Sequence, residues 1–261
     1  MTTERAWGDW GPWLGARASE LKASLEFATR LPLARAAPVG GSALAPAVWA
    51  LPLAGAVVGI IGAAVYALAH RLGVPPWPAA ALAVAATLAV TGGLHEDGLA
   101  DTADGLGGGA DVEQKLAIMR DSRIGTYGVC ALALSILLRT AAVASLGDAG
   151  AVAWALVAAH AAARAAMPLL MHAVAPARAD GLSFEAGQPP LGRVAIGAAI
   201  GFVILVLAFG LAAAVVATIL LLIAVAVIAW LGLAQIGGQT GDIIGALEQV
   251  SEIVVLLVAV A

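Results

Sequence analysis

Long apolar runs alternate with short polar segments along most of this chain. The runs cover roughly 47–69, 77–94, 125–146, 152–174, 194–236 and 243–261. A helix that crosses a membrane needs about 20 mainly apolar residues, so the run 194–236 is long enough for two such helices with a break near Gly210. The pattern predicts an all-α fold, a polytopic integral membrane helical bundle of about seven transmembrane helices.

Residues 1–36 precede the first apolar run and show a different pattern. Trp7, Trp10 and Trp13 recur every three residues, and tryptophan is enriched at membrane interfaces. Small and apolar residues then recur on one helical face, at Leu14, Ala18, Leu21, Leu25 and Ala28. This predicts an amphipathic helix that lies on the bilayer and ends at Pro32.

Composition supports a membrane protein. The chain is 62% hydrophobic and 11% charged, with a mean hydropathy of +0.98, whereas a soluble domain is about 25% charged. The single Cys130 excludes an internal disulfide and a cysteine zinc site. No cleavable signal peptide is recognised at the N-terminus. We expect a single membrane-embedded domain over residues 1–261.

Lysine and arginine are concentrated in three polar segments, 1–36, 95–123 and 175–193. Cytoplasmic segments carry more of these residues than external ones. With seven spans and the N-terminus inside, all three segments and the glycine-rich segment 237–242 face the cytoplasm, where they could form one site. Only Arg71 is then left outside.

Segment 95–123 is the longest polar stretch after the first span, and it begins with carboxylates. Four of the 17 acidic residues lie between positions 96 and 104. Asp97, Asp101 and Asp104 are spaced i, i+4, i+7 and would share one face of a helix. Such carboxylates repel one another unless a cation lies between them, and oxygen-only ligands favour Mg²⁺ or Mn²⁺ over zinc.

The motif also contains residues that suit a phosphate or a proton. Flanking glycines, Gly105 among them, would let a phosphate approach the backbone. His95 could accept a proton or could simply be a polar neighbour of the carboxylates. The alternative for the whole motif is a hydrated acidic loop that caps a membrane helix. We therefore treat 95–123 as a candidate catalytic loop, with a short helix from Val112 to Arg120.

A second motif precedes the third apolar run. Arg120 and Arg123 are three residues apart, close to Gly125. Paired arginines suit phosphate or pyrophosphate oxygens, and glycine allows close approach. Positive-inside anchoring would also explain the arginines, although not the glycine. The motif therefore indicates a phosphate site.

Two features inside the apolar runs leave alternatives open. Ionisable residues in membrane spans are usually functional or paired; here they are Arg139, His160, Arg164 and His172. They could line a substrate cavity or form a structural pair, for instance with Glu248 or Glu252. Gly55 and Gly59 form a G-x-x-x-G pattern, which is either a packing face or ordinary glycine content.

The two motifs together resemble the signature of the cobalamin (5′-phosphate) synthase family, also called adenosylcobinamide-GDP ribazoletransferases. The resemblance rests on residues 92–105 (GGLHEDGLADTADG) and 119–128 (MRDSRIGTYG). It extends to shorter stretches at 27–32 (FATRLP), 51–55 (LPLAG) and 241–246 (GDIIGA). In 175–193, residues 180–182 (DGL) match and their neighbours match less well.

The resemblance implies an Mg²⁺-dependent enzyme of the bacterial inner membrane with its active site facing the cytoplasm. Its substrates would be adenosylcobinamide-GDP and α-ribazole or its 5′-phosphate, and GMP would leave. It implies metal binding by Asp97, Asp101 and Asp104, and phosphate contacts from Arg120 and Arg123. His95 or a carboxylate such as Glu96 would take the proton.

Asp242, Gly105 and Gly125 complete the predicted substrate-binding set. Besides these substrates we expect the lipid bilayer as a partner and no nucleic acid. The sequence does not fix the oligomeric state, so a homo-oligomer stays open.

Two other functions would use similar residues. A CDP-alcohol phosphotransferase also places aspartates on membrane helices, but its motif has an Ala-Arg pair after the first Asp-Gly that this chain lacks at that spacing. A secondary transporter would hold an acidic ion site near the middle of the membrane, whereas these carboxylates lie at the end of a span.

Overall fold

The computed structural model describes residues 10–33 and 44–261, and this part of the chain is helical without a β-strand. The helices are α1 Trp10–Ala28, α2 Leu44–Ala47, α3 Leu51–Arg71, α4 Pro76–Thr91, α5 Leu94–Gly108, α6 Val112–Ile118, α7 Thr126–Leu146, α8 Ala149–Ala173, α9 Leu182–Ala186, α10 Leu191–Ile236 and α11 Gly241–Val260. A 3₁₀ turn, Val48–Ala50, joins α2 to α3. The predicted all-α polytopic membrane bundle is confirmed.

Within the described residues, five helical segments are long and apolar enough to cross a membrane, or up to six if α4 and α5 together form one broken span. The five include α10, whose 46 residues would extend about 69 Å if straight, far beyond a hydrocarbon core of about 30 Å. The predicted count of seven requires the bent pair to span and both halves of α10 to be counted.

The break predicted near Gly210 is present in α10. Gly210 has φ 79° and ψ 168°, outside the helical region, and glycine adopts a positive φ without steric cost. Residues of both halves, from Ala198 to Leu205 and from Thr218 to Leu222, line one small cavity. The two halves of α10 therefore fold back on each other.

Helix α8 is the centre of the bundle, because nearly all of its middle turns are buried against α3, α10 and α11. Its buried face is mostly alanine, and small residues let helices approach closely in lipid. A methyl group on Gly59 of α3 would lie 2.6 Å from the Leu156 carbonyl oxygen, and one on Gly55 would clash with the His160 carbonyl. The G-x-x-x-G pattern is thus a packing face against α8.

Helices α4 and α5 meet at 91°. Gly92 and Gly93 lie between them, and both are left-handed, with φ of 71° and 70°. Two consecutive left-handed residues end the right-handed helix and change the direction of the chain. The left-handed conformation costs other L-residues about 1–2 kcal/mol each. The apolar run predicted over 77–94 therefore ends as a helix at Thr91, and its last residue, Leu94, begins the separate helix that carries the acidic motif.

Helix α1 covers most of the predicted interfacial segment. Its first half is exposed, including Trp13 and Leu14. Its last turns pack on the bundle, where the Ser24 hydroxyl donates to the Ala47 carbonyl at 2.8 Å. The helix ends at Ala28, four residues before Pro32. Trp7 lies outside the described residues, as do the parts of segment 1–36 before Trp10 and after Leu33.

Candidate active site

Helix α5 carries the three aspartates on successive turns, as their spacing predicts, so the predicted 95–123 loop is helical over its acidic part. Their environments differ: Asp97 is exposed, Asp101 is half-buried and Asp104 is buried. The carboxylates therefore run from the cavity surface towards the packed interior along one helix.

Asp104 is tied to the start of α7. One carboxylate oxygen accepts the backbone N–H of Gly125 at 2.7 Å, and the other accepts that of Gly128 at 2.8 Å. These N–H groups belong to the first turn of a helix, which has no internal partners for them and favours negative charge. A methyl group on Gly125 would lie 2.5 Å from the Asp104 carboxylate. The space beside Gly125 is thus taken by Asp104.

Gly105 also serves packing in this structure. A methyl group there would lie 2.5 Å from Met119 and 3.0 Å from the Lys115 carbonyl oxygen. The glycine therefore lets α5 lie against α6 and the turn that follows it. A phosphate contact through Gly105 or Gly125 stays a prediction.

A fourth carboxylate, Asp242 of α11, joins the aspartates of α5. The two helices cross at glycines: a methyl group on Gly98 would lie 3.0 Å from the Asp242 carbonyl oxygen and 3.2 Å from the Gly245 Cα. The charges that act on Asp101 are the carboxylates of Asp97, Asp242 and Asp104 and the guanidinium of Arg178. Four carboxylates from two helices thus meet at this edge of the bundle.

The carboxylates do not form a closed ligand set as they stand. Ligand oxygens about 2.1 Å from one Mg²⁺ ion must lie within about 4.2 Å of one another. Among the described residues, only a buried group, His160, Glu248 and Glu252, has its ligand atoms within 4.8 Å of one another. To bind one ion, the carboxylate oxygens of Asp97, Asp101 and Asp104 would have to move closer to one another. Asp97 is exposed, so a change of its side-chain rotamer could provide part of this movement.

Arg120 reaches towards the same edge. One of its terminal nitrogens donates to both carboxylate oxygens of Asp180 at 2.7 Å. Arg178, which was not among the predicted site residues, lies 3.4 Å from Asp180 and 3.5 Å from Asp242. Asp180 thus lies between two arginines, and Arg178 connects the loop after α8 to the carboxylates. The one sequence feature that could have identified Arg178 is its position two residues before Asp180, which belongs to the stretch that resembles the family signature.

Arg123 points elsewhere. Its guanidinium pairs with Asp121 at 2.6 Å and its side chain is 86% exposed. Hydrogen bonds from Arg123 lower the pKa of Asp121 to about 2, so the pair stays charged at any physiological pH. Unlike Arg120, Arg123 does not border the cavity beside the aspartates.

A buried polar layer lies directly beneath the aspartates. On α8 and α11 it separates two apolar clusters, one near the site and one at the far end of the bundle. Its members are His95, Glu96, Arg139, His160, Arg164, Glu248, Gln249 and Glu252, all buried.

Ion pairs hold this layer together. Arg139 lies 3.0 Å from both Glu96 and Glu252, and Arg164 lies 2.6 Å from Glu248 and 3.1 Å from Glu252. Each carboxylate already has a guanidinium partner, so the layer is an ion-pair network and not an open metal site. Of the two alternatives for the ionisable residues in the spans, the structure favours structural pairing for Arg139 and Arg164.

Glu96 and His95 connect the layer to the site. The Glu96 carboxylate also accepts from the Gln249 amide at 3.2 Å, so this predicted catalytic residue is held inside the bundle although it borders the aspartate cavity. His95 Nδ1 lies 3.4 Å from Glu248 and 3.4 Å from Arg164. Its Nε2 is buried without a hydrogen-bond partner among the described residues.

Cavities open on both sides of the carboxylates. The polar one, about 950 Å³, is lined by Asp97, Asp101, Arg120 and Ser122, with others. The second, about 770 Å³, is mostly apolar and has Asp97, Asp242 and His95 in its lining. Asp97 borders both, so it marks the place where their contents would meet.

Comparison with known proteins assigns this arrangement to a family. A sequence model described as cobalamin-5-phosphate synthase matches residues 20–260. The chain belongs to the cobalamin-5-phosphate synthase family. That match includes every described helix from the second half of α1 onward, and with it all the site residues named above.

Curated relatives agree over nearly their whole length. An adenosylcobinamide-GDP ribazoletransferase from Bradyrhizobium diazoefficiens is 56% identical over 93% of this chain and 94% of its own. The proteins of that name from Mesorhizobium japonicum and Xanthobacter autotrophicus are 54% and 49% identical, over 90% and 92% of this chain and 90% and 95% of their own. No solved structure matches the chain.

Proposed function

We propose that this protein transfers the adenosylcobinamide phosphate group of adenosylcobinamide-GDP to α-ribazole or its 5′-phosphate and releases GMP. Membership of the family and the names of its close relatives support this reaction over lipid synthesis or ion transport. The carrying observation is the meeting of carboxylates from α5 and α11 beside Arg120, between two cavities. The pyrophosphate of one substrate and the attacking hydroxyl of the other must come together at one place, and these carboxylates lie where the two cavities adjoin.

We further propose Mg²⁺ as the cofactor, with Asp97 and Asp101 as its holders and Asp104 or Asp242 as a third. The donor set fits, because it offers only carboxylate oxygens and places like charges together. The ion would supply positive charge to the pyrophosphate oxygens as the bond to GMP breaks. Asp104 contributes by fixing α5 to the start of α7.

The chain's own groups account for the remaining requirements. Arg120 and Arg178 are cations at the rim that can bind non-bridging phosphate oxygens in place of Asp180. A free ribose hydroxyl of the acceptor, one that the 5′-phosphate does not occupy, attacks the phosphorus on the cobinamide side. The bond from that phosphorus to the GMP oxygen breaks, and the hydroxyl proton goes to a base. In the tautomer with its proton on Nδ1, which lies 3.4 Å from Glu248, His95 would keep a lone pair on Nε2 and could accept the proton. Asp97 is the other candidate.

Orientation follows from the charge distribution. The rim residues Arg120, Arg178 and Lys115 lie on the same side of the bundle as the carboxylates, and basic residues mark the cytoplasmic side. We infer that the site faces the cytoplasm from a bacterial inner membrane. Accessibility of a cysteine introduced at exposed Ser122 to an impermeant thiol reagent tests this, with Cys130 replaced by serine.

The reaction is tested by product formation. Membranes that contain the protein, both substrates and Mg²⁺ should release GMP and form a cobalamin product in equal amounts, and chelation of Mg²⁺ should stop both. Release of GMP without an acceptor would indicate a hydrolase. No GMP with either substrate pair would refute the proposed reaction.

A further inference from the structure

The apolar cavity beside Asp97 has an unusual composition for the rim of a charged site. It lies between α1, α2, the start of α3, α5, α8, α9 and the start of α11, and its space, including the open mouth, is about 770 Å³. Its walls include Leu44, Leu51, Met167, Met171, Ala186 and Ile244. Mostly apolar walls with a few polar groups are typical of a small-molecule binding site.

The polar groups of this cavity are located together. Asp97 and Asp242 are both half-exposed or exposed, and both also border a neighbouring cavity: Asp97 the polar one with Arg120, and Asp242 one lined by Arg178 and Asp180. His95 is buried with an unpartnered Nε2. A ligand in the apolar cavity would therefore have its polar end at the carboxylates and its apolar end between the methionines.

The two substrates of the proposed function differ in the same way as the two larger cavities. The donor carries a pyrophosphate and a corrinoid much larger than a drug-sized ligand, which suits the polar, open cavity with Arg120. The acceptor is a nucleoside whose base is a flat, methylated benzimidazole. Flat aromatic rings pack well against methionine sulfur, and Met167 and Met171 lie one helical turn apart on α8.

The geometry of the proposed reaction requires the donor and acceptor substrates to approach the phosphorus from different sides. In phosphoryl transfer the attacking and leaving oxygens are roughly in line on either side of the phosphorus. Asp97 borders both cavities, so a phosphorus beside it could be reached from each. On the basis of the proposed function, we propose that the apolar cavity binds the benzimidazole base of the acceptor nucleoside and presents a free ribose hydroxyl at Asp97.

Ala186 of α9 then controls which bases fit. It is buried in the cavity wall, so a larger side chain there takes space from the base without touching Arg120 or the polar cavity. Met171 of α8 lines the same cavity, and truncating its side chain would enlarge the space for the base. The two positions offer one variant that excludes the base and one that admits a bulkier base.

Ala186→Leu and Met171→Ala test the proposal, with Ala198→Leu as the matched control. Ala198 lines a separate apolar cavity between α8 and the halves of α10. The KM for α-ribazole and the KM for adenosylcobinamide-GDP are measured separately from GMP release. Ala186→Leu should raise the KM for α-ribazole about tenfold or more and leave that for the corrinoid unchanged, whereas Ala198→Leu changes neither.

Met171→Ala keeps the proposal falsifiable if the leucine variant does not fold. It should lower the KM of a nucleoside with a larger, three-ring base relative to that of α-ribazole, by about tenfold. A rise in the corrinoid KM alone, or no change in either KM in a folded variant, would overturn the assignment of the cavity. A wild-type protein that releases no GMP would instead refute the proposed function.

Discussion

Gly98 of α5 and Gly245 of α11 face each other where the two helices cross. A methyl group on Gly98 would lie 3.2 Å from the Gly245 Cα, and one on Gly245 would lie 3.3 Å from the Gly98 Cα. Contacts this close leave no room for a side chain on either helix. The crossing brings Asp97, next to Gly98, towards Asp242.

Gly98→Val should separate these carboxylates. A displacement of about 1 Å at a catalytic site can cost about 100-fold in rate, so GMP release should fall about that much while the protein still inserts. Gly192→Val is the matched control, because no atom lies within 4 Å of a methyl group at Gly192. Full activity of Gly98→Val would show that the close crossing is not needed.

Asp101→Asn tests the carboxylate cluster without changing its shape. We expect GMP release at saturating Mg²⁺ to fall about 100-fold or more, because the proposed cation would lose a carboxylate that positions it against the pyrophosphate oxygens. Asp148→Asn is the control: Asp148 caps α8 at the far end of the bundle, and asparagine caps helices as well as aspartate does. Undiminished turnover would remove Asp101 from the mechanism.

The two arginines of the second motif should separate in kinetics. Arg120 borders the polar cavity, whereas Arg123 does not and forms an ion pair with Asp121. A hydrogen bond to a charged group contributes about 1.5–3 kcal/mol, so Arg120→Ala should reduce kcat/KM for adenosylcobinamide-GDP about 10- to 100-fold. Arg123→Ala should have little effect, and equal losses in both variants would contradict this geometry.

Breaking the buried ion-pair network should destabilise the fold. Arg139→Met leaves Glu96 without its guanidinium partner and Glu252 with Arg164 as its remaining one. Removing one partner of a buried ion pair costs about 3–5 kcal/mol in unfolding free energy. Adding Glu96→Gln should recover part of this loss, since one uncompensated charge is removed. The check is unfolding in detergent micelles by circular dichroism, with exposed Arg123→Met as the control that changes nothing measurable.

The bend between α4 and α5 gives a backbone prediction. Gly93 has a positive φ and no atom within 4 Å of a methyl group, so Gly93→Ala introduces strain without a clash. The expected loss is about 1–2 kcal/mol, and Gly93→Asn should lose less because asparagine tolerates this conformation better. Gly15→Ala, in an open part of α1, should not destabilise; similar stability of all three variants would contradict the strain.

Local spacing predicted much of this molecule. The i, i+4, i+7 aspartates do lie on a helix, Gly210 does break the long apolar run, and Gly55 with Gly59 does pack against α8. Each of these follows from helical periodicity or from the conformational freedom of one residue, which a single sequence contains.

Features that depend on distant packing were not predictable in this way. The sequence could not show that Gly92 and Gly93 turn the chain by 91°, because glycine permits many dihedral angles. Nor could it show that Glu96 turns inward to Arg139 while its neighbour Asp97 faces the cavity. The partner of a charge is decided by which helices become neighbours.

The buried network also bears on how the protein is built. Arg139 and Arg164 belong to α7 and α8, whereas two of their three carboxylate partners belong to α11, which is synthesised later. Unpaired guanidiniums in hydrocarbon are costly. We therefore expect α7 and α8 to reach their final packing only after α11 has inserted beside them. Arrival of that helix completes the charge balance and, in the same step, delivers Asp242 to the site, so that biogenesis and catalytic competence are reached together.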